Sequence, residues 1–129
     1  MEINWLAVVL AALVSFPLGF VWYGPLFGKA WAAEVGMTDE KAKSGNPAIV
    51  FGGAFVLALI QASTFAMFLG PVRNPEAALY GLCAGLCWVG AAFGVQYLFE
   101  RRSLRLGLIN AGYNAVAFTL IGAIVGALK

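Results

Sequence analysis

The sequence predicts an all-α, polytopic integral membrane protein with four transmembrane helices and a short interfacial helix between the first and second. Three observations carry that expectation. Of 129 residues, 62% are hydrophobic and 11% charged, against about 25% charged in an average soluble domain. Every charged residue falls at Glu2, from Lys29 to Lys43, at Arg73 and Glu76, from Glu100 to Arg105, or at Lys129. The four uncharged gaps between these positions are 26, 29, 23 and 23 residues long. A helix rises about 1.5 Å per residue, so about 20 residues cross a hydrocarbon core of about 30 Å. Each gap crosses once, and residues 1–129 form one domain.

The first span is expected over residues 3–23. It reads as a retained helix and not as a cleaved signal, because nothing positive precedes it and it exceeds the roughly 7–15 residues of a signal core. Pro17 inside it predicts a kink, since proline removes a backbone hydrogen bond and clashes with the carbonyl of Leu13. Such kinks are ordinary in membrane spans, and transporters also break helices at substrate sites. Trp22, Tyr23 and Trp31 are expected to anchor at headgroup level, where an apolar ring keeps its polar atom wet. Phe27, Trp31 and Val35 recur every four residues and would line one face of a helix lying in the interface plane.

Gly36 ends that helix, and Thr38 is an N-cap for a short polar turn over residues 39–43. Ser44-Gly45-Asn46-Pro47 starts the second span, expected over 48–69 and stopped by Gly70-Pro71. The third span is expected over 77–99 and the fourth over 106–128. With four crossings, loops one and three share a side. They hold Lys29, Lys41, Lys43, Arg101, Arg102 and Arg105, whereas the other side holds Arg73 and Lys129. Positive charge favours the cytoplasm, so both termini are expected outside it.

The chain has no histidine, and its spans hold no acid or base. That excludes a Ser-His-Asp or Cys-His catalytic set and an intramembrane histidine or carboxylate metal site. No cofactor or metal is expected. The net charge of +2 is too small to argue for nucleic acid. Cys83 and Cys87 share a helix face four residues apart. One reading makes them a redox or soft-metal pair. The other, favoured because no basic neighbour lowers a thiol pKa, makes them small apolar packers among Gly81, Ala84, Gly85 and Gly90.

Gln61, Gln96, Asn110 and Asn114 are the amides away from the ends of the spans. Burying an amide unpaired costs about 4–8 kcal/mol against pure hydrocarbon, so these side chains are expected to face the protein interior or a wet cavity. They serve either as glue between helices or as the lining of a solute path. Two strips of small residues, Gly81, Gly85, Gly90 and Gly94 on the third span and Ala115, Gly122 and Gly126 on the fourth, allow close approach. One strip within the subunit and one left over predicts a dimer or trimer. The turn from Glu100 to Arg105, with Arg101, Arg102 and Arg105, fixes topology and is also suited to an anionic lipid headgroup.

Two stretches carry a family resemblance. Trp22-Tyr23-Gly24-Pro25-Leu26-Phe27-Gly28-Lys29-Ala30-Trp31 is followed by Phe99-Glu100-Arg101-Arg102-Ser103 leading to Ile109-Asn110-Ala111-Gly112-Tyr113-Asn114. Their order and spacing resemble small prokaryotic four-helix membrane proteins grouped as domain of unknown function 1761. The resemblance implies a prokaryotic cytoplasmic membrane. It also implies histidine in many members where Asn114 stands here, so asparagine removes a titrating role at that position. It implies no activity, substrate or cofactor. Small multidrug transporters are similar in length but need a carboxylate in the first span, and fluoride channels carry a motif absent here. The leading expectation is a non-catalytic, self-associating membrane protein. The alternatives are a channel or carrier for a small neutral or weakly charged solute, resting on Pro17, Gln61, Asn110 and Asn114, and a membrane redox protein using Cys83 and Cys87.

Overall fold

A computed structural model describes residues 3–128. Glu2 and Lys129, two of the charges that bracket the expected spans, lie outside the described residues. The elements are α1 (Trp5–Leu26), α2 (Gly28–Val35), α3 (Asp39–Ser44), α4 (Pro47–Leu69), α5 (Glu76–Glu100) and α6 (Leu104–Ala127). No strand occurs among the described residues. Helices α1, α4, α5 and α6 are each long and apolar enough to cross a membrane.

Local chemistry sets the boundaries. Asn4 caps α1 by accepting from the Ala7 amide at 3.2 Å, and its Nδ2 donates to the Leu128 carbonyl at 2.7 Å. That second bond ties the beginning of α1 to the end of α6. Thr38 caps α3 by accepting from Lys41, as expected, and Asn46 caps α4 by accepting from Ala48. Gly36 ends α2 with φ +70°, a conformation that a Cβ disfavours. Ser103 caps α6 through the Leu106 amide at 3.1 Å.

Two departures from the expected pattern are π turns. The expected end of the first span at Tyr23 does not stop α1, which runs to Leu26 through a π segment over Trp22–Leu26. Pro25 has no N–H to offer, and the Phe27 amide instead reaches the Trp22 carbonyl at 2.9 Å, the wider i to i+5 step. A second π segment, Ala84–Gly90, lies in the middle of α5 and includes Gly85, one of the glycines packed against α6. Pro17 lies inside α1, which stays helical through it.

The four long helices run alternately up and down. Glu34 of α2 accepts a hydrogen bond from Ser103, so loops one and three meet at one end. The two termini meet at the other through Asn4 and Leu128. Helix α6 is the most buried of the four and packs on α1, α2, α4 and α5. The core joins Ala7, Val8 and Ala11 of α1 to Ala62, Phe65, Ala66 and Leu69 of α4, with Phe118, Ile121 and Val125 of α6. Phe65 meets Phe118 edge to face at 5.6 Å. Outside, Phe20, Leu98 and Phe99 are 80% exposed or more. Small residues inside and large apolar ones outside reverse the soluble pattern, and the apolar surface suits lipid contact.

Gly81 and Gly85 of α5 lie against the backbone of α6, where a Cβ on either would collide with the carbonyl oxygens of Phe118 and Asn114. Conversely, a Cβ on Gly122 would strike the Ala77 carbonyl, and one on Gly126 would lie 2.6 Å from the Ala77 Cβ. The two small-residue strips expected to serve separate partners therefore face each other. Only Gly94, in that set, has nothing within 4 Å of a Cβ. The surplus strip that predicts self-association is thus consumed within the subunit.

Candidate functional site

Asn110 joins three helices. Its Oδ1 accepts from the Tyr23 hydroxyl of α1 at 2.6 Å, and its Nδ2 donates to the Tyr97 hydroxyl of α5 at 2.8 Å. Amide and phenols are part-buried and satisfy one another, which is how a polar side chain is tolerated in an apolar span. Asn114, one turn on, donates to the Asn110 carbonyl of its own helix at 2.9 Å. Of the two stacked amides, Asn110 is the one that bridges helices. Tyr113 lies beside Tyr23, with ring centroids 5.3 Å apart, and donates to the Ser15 carbonyl of α1 at 3.2 Å.

Trp22 and Tyr23 differ from the expectation of headgroup anchors with wet polar atoms. The Trp22 Nε1 donates to the Ile109 carbonyl at 2.9 Å, and the Tyr23 hydroxyl goes to Asn110. Both polar atoms fasten α1 to α6, because the π turn at the end of α1 directs these adjacent rings at α6. Trp31 of α2 packs edge-on against Tyr23 at 5.5 Å.

Beside this cluster, α1 and α4 stand apart. The opening is a groove of about 1170 Å³ whose walls include Phe16, Phe20, Tyr23, Trp31, Phe51 and Tyr113. Pro17 and Gly19 lie on its α1 side, and no charged residue lines it. The groove offers aromatic and aliphatic surface with two phenols at one end, suited to a neutral, largely apolar molecule.

The remaining expected residues are dispersed. Gln61 on α4 and Gln96 on α5 are exposed on the chain's surface, contrary to the expected inward placement. The helix periodicity explains Gln61: Ala58, Ala62 and Phe65 hold the core face beside it. Pro17, Gln61, Asn110 and Asn114 thus do not converge on one path. Cys83 and Cys87 are free and exposed, not packed with Gly81, Ala84 and Gly85, which are buried. Two positions along a helix rotate about 200°, so the glycines and cysteines take opposite faces. Among the described residues no three histidine, cysteine or acidic side chains gather as a metal site.

At the basic turn, Arg102 pairs with Glu100 at 2.8 Å and lies 5.7 Å over the Tyr97 ring. The hydrogen bond and charge of Glu100 hold the exposed guanidinium's pKa above its ordinary value. Arg101 takes a left-handed turn, φ 59°, that ends α5, and Arg105 opens α6. Tyr97, which accepts from Asn110, and Glu34, which accepts from Ser103, are not among the residues expected from the sequence. The available signal was a tyrosine near the end of a span and an acid on an otherwise apolar short helix.

No curated protein and no solved structure matches this chain. A family model described as "Protein of unknown function (DUF1761)" matches residues 6–126, nearly its whole length. The match agrees with the motif resemblance at Trp22–Trp31 and Phe99–Asn114, and the chain belongs to the DUF1761 family.

Proposed function

We propose that this chain is a non-catalytic membrane protein that binds a neutral, largely apolar molecule entering the α1–α4 groove sideways from the bilayer. The observation that carries the reading is the groove itself, about 1170 Å³ of aromatic-walled, charge-free space at a lipid-facing opening. The absence of histidine and of intramembrane acids from the sequence supports a binding role over acid–base chemistry. A neutral diazirine-bearing fatty alcohol, photolysed in liposomes containing the protein, is expected to label Phe20, Phe51 and Ala54 above other exposed apolar residues. Even labelling over all lipid-facing helices would refute the site.

Self-association is part of the same proposal, on a ground other than the small-residue strips. Gln61 lies well inside α4 and is exposed; its backbone carbonyl accepts from Thr64, but its side-chain amide makes no hydrogen bond among the described residues. A lone amide facing lipid is costly. A two-fold axis beside it would let two copies of Gln61 exchange N–H and C=O reciprocally. Native mass spectrometry in mild detergent is expected to show a dimer that Gln61→Leu dissociates without loss of helicity. A parent chain that is monomeric across detergents and lipids refutes this.

The orientation proposal keeps the termini outside the cytoplasm of a prokaryotic inner membrane. Its support is the six-to-two distribution of Lys and Arg between the two ends. A C-terminal reporter active only in the cytoplasm is expected to stay silent, and strong activity would reverse the assignment.

A further inference from the structure

A second groove lies on the other side of the α1–α2 junction. It measures about 520 Å³ and is walled by Trp22, Leu26, Phe27, Ala30 and Leu108, with Arg105 at its outer end and Gly112 at its inner end. The Trp22 indole N–H is already spent on Ile109, and the ring packs 4.8 Å from Phe27, so this wall presents apolar surface. Gly112 makes room for that ring: a Cβ there would lie 2.9 Å from Trp22 Cζ2.

The charge at the mouth is unbalanced. Glu34 is engaged by Ser103 and Glu100 by Arg102. Among the described residues Arg105 has no acidic partner within ion-pair distance. From Arg105 to Gly112 the helix rises about 10 Å, against about 15 Å for the hydrocarbon depth of one leaflet. A cation at the membrane surface, followed inward by an apolar channel of that length, matches a phosphate headgroup followed by an acyl chain.

We infer that this groove is a site for an anionic phospholipid, its phosphate on Arg105 and one acyl chain along Trp22, Leu108 and Gly112. Charge complementarity selects the lipid class, because in a zwitterionic headgroup the cation beside the phosphate offsets much of its attraction to Arg105. The inference is independent of the neutral-ligand groove, which shares no lining residue with it.

The test is native mass spectrometry of the full chain in mild detergent, with equimolar phosphatidylglycerol and phosphatidylcholine of identical acyl chains. The parent is expected to retain phosphatidylglycerol about fivefold over phosphatidylcholine, the factor equivalent to about 1 kcal/mol for one basic residue at a membrane surface. Arg105→Gln should abolish the preference and Arg105→Lys should keep most of it. Arg73→Gln, at the opposite end, should leave it unchanged. Ala30→Leu, which fills the groove and leaves the charge, should lose the retained lipid. Helical circular dichroism matching the parent identifies folded variants, and if Arg105→Gln fails this check the Ala30→Leu and parent results decide. Equal retention by the parent, an unchanged preference in folded Arg105→Gln or Ala30→Leu, or displacement of the lipid by inorganic phosphate would each overturn the proposal.

Discussion

Helices α5 and α6 touch backbone to backbone, whereas α1 and α4 touch through side chains and leave a groove. The difference lies in side-chain size along the two contacts. In the α5–α6 pair, Gly81 and Gly85 meet the Phe118 and Asn114 carbonyls, and Ala77 meets Gly122 and Gly126. The α1–α4 pair is close where Ala7 and Ala11 share a core with Ala62 and Ala66. Further along, Phe16 lies between Phe51 and Phe55, with centroids 6.3 and 6.2 Å away, and the groove opens there. In lipid no hydrophobic force draws helices together, so close packing and hydrogen bonds decide which pair is rigid. The first pair is the scaffold, and the second leaves the space that a ligand would enter.

Gly85→Leu should have the largest effect. The new side chain would enter the Asn114 carbonyl, and neither backbone can yield without separating the helices. A loss of about 3 kcal/mol, the upper end of the overpacking range, is expected in reversible unfolding in mixed micelles. Gly94→Leu is the control, since nothing lies within 4 Å of its Cβ. It should stay within about 0.5 kcal/mol of the parent. Equal effects at the two glycines would mean that the seam is not where α5 and α6 meet.

Next in size is Asn110→Leu, which removes two bonds between helices and leaves the Tyr23 and Tyr97 hydroxyls unpaired. Interhelical hydrogen bonds in membranes average about 0.6 kcal/mol, and stranded partners add to the loss. A decrease of about 1–2 kcal/mol is expected in the same measurement. Asn114→Leu removes a bond to its own helix and should cost less than about 0.6 kcal/mol. The opposite order would make Asn114 the bridging amide.

The spans were legible in the sequence because a charge at the edge of a hydrocarbon core is an energetic wall. The expected 48–69, 77–99 and 106–128 lie within two residues of the observed ends. The caps at Thr38 and Gly36 were legible for a local reason: side-chain hydroxyl geometry and a positive φ need only their own neighbours. The π turns were not, since they depend on which carbonyl finds a donor once the chain has packed. The Tyr23–Asn110–Tyr97 bridge joins positions up to 87 residues apart, and pattern alone does not pair them. The outward cysteines contradict the favoured reading of them as packers, although the pattern held the signal. Gly81 and Gly85 mark the buried face, and Cys83 and Cys87 fall opposite by helical rotation. Two small-residue strips were visible, but nothing local says that each is the other's partner.

The smallest expected effect tests the loose side of the comparison. Ala54 lies on α4 at the groove and is exposed. Ala54→Leu adds one carbon fewer than Gly85→Leu, and it projects into open space and not into a carbonyl. Its stability is expected to remain within about 0.5 kcal/mol of the parent, the ordinary range for a surface change. The same variant occupies part of the groove, so labelling of Phe20 and Phe51 by the neutral diazirine probe should fall while the fold persists. The two readouts separate two errors. A stability loss near that of Gly85→Leu would show α1 and α4 to be closely packed there, removing the contrast with α5 and α6. Unchanged stability with unchanged labelling would leave the contrast intact and remove the ligand from the groove.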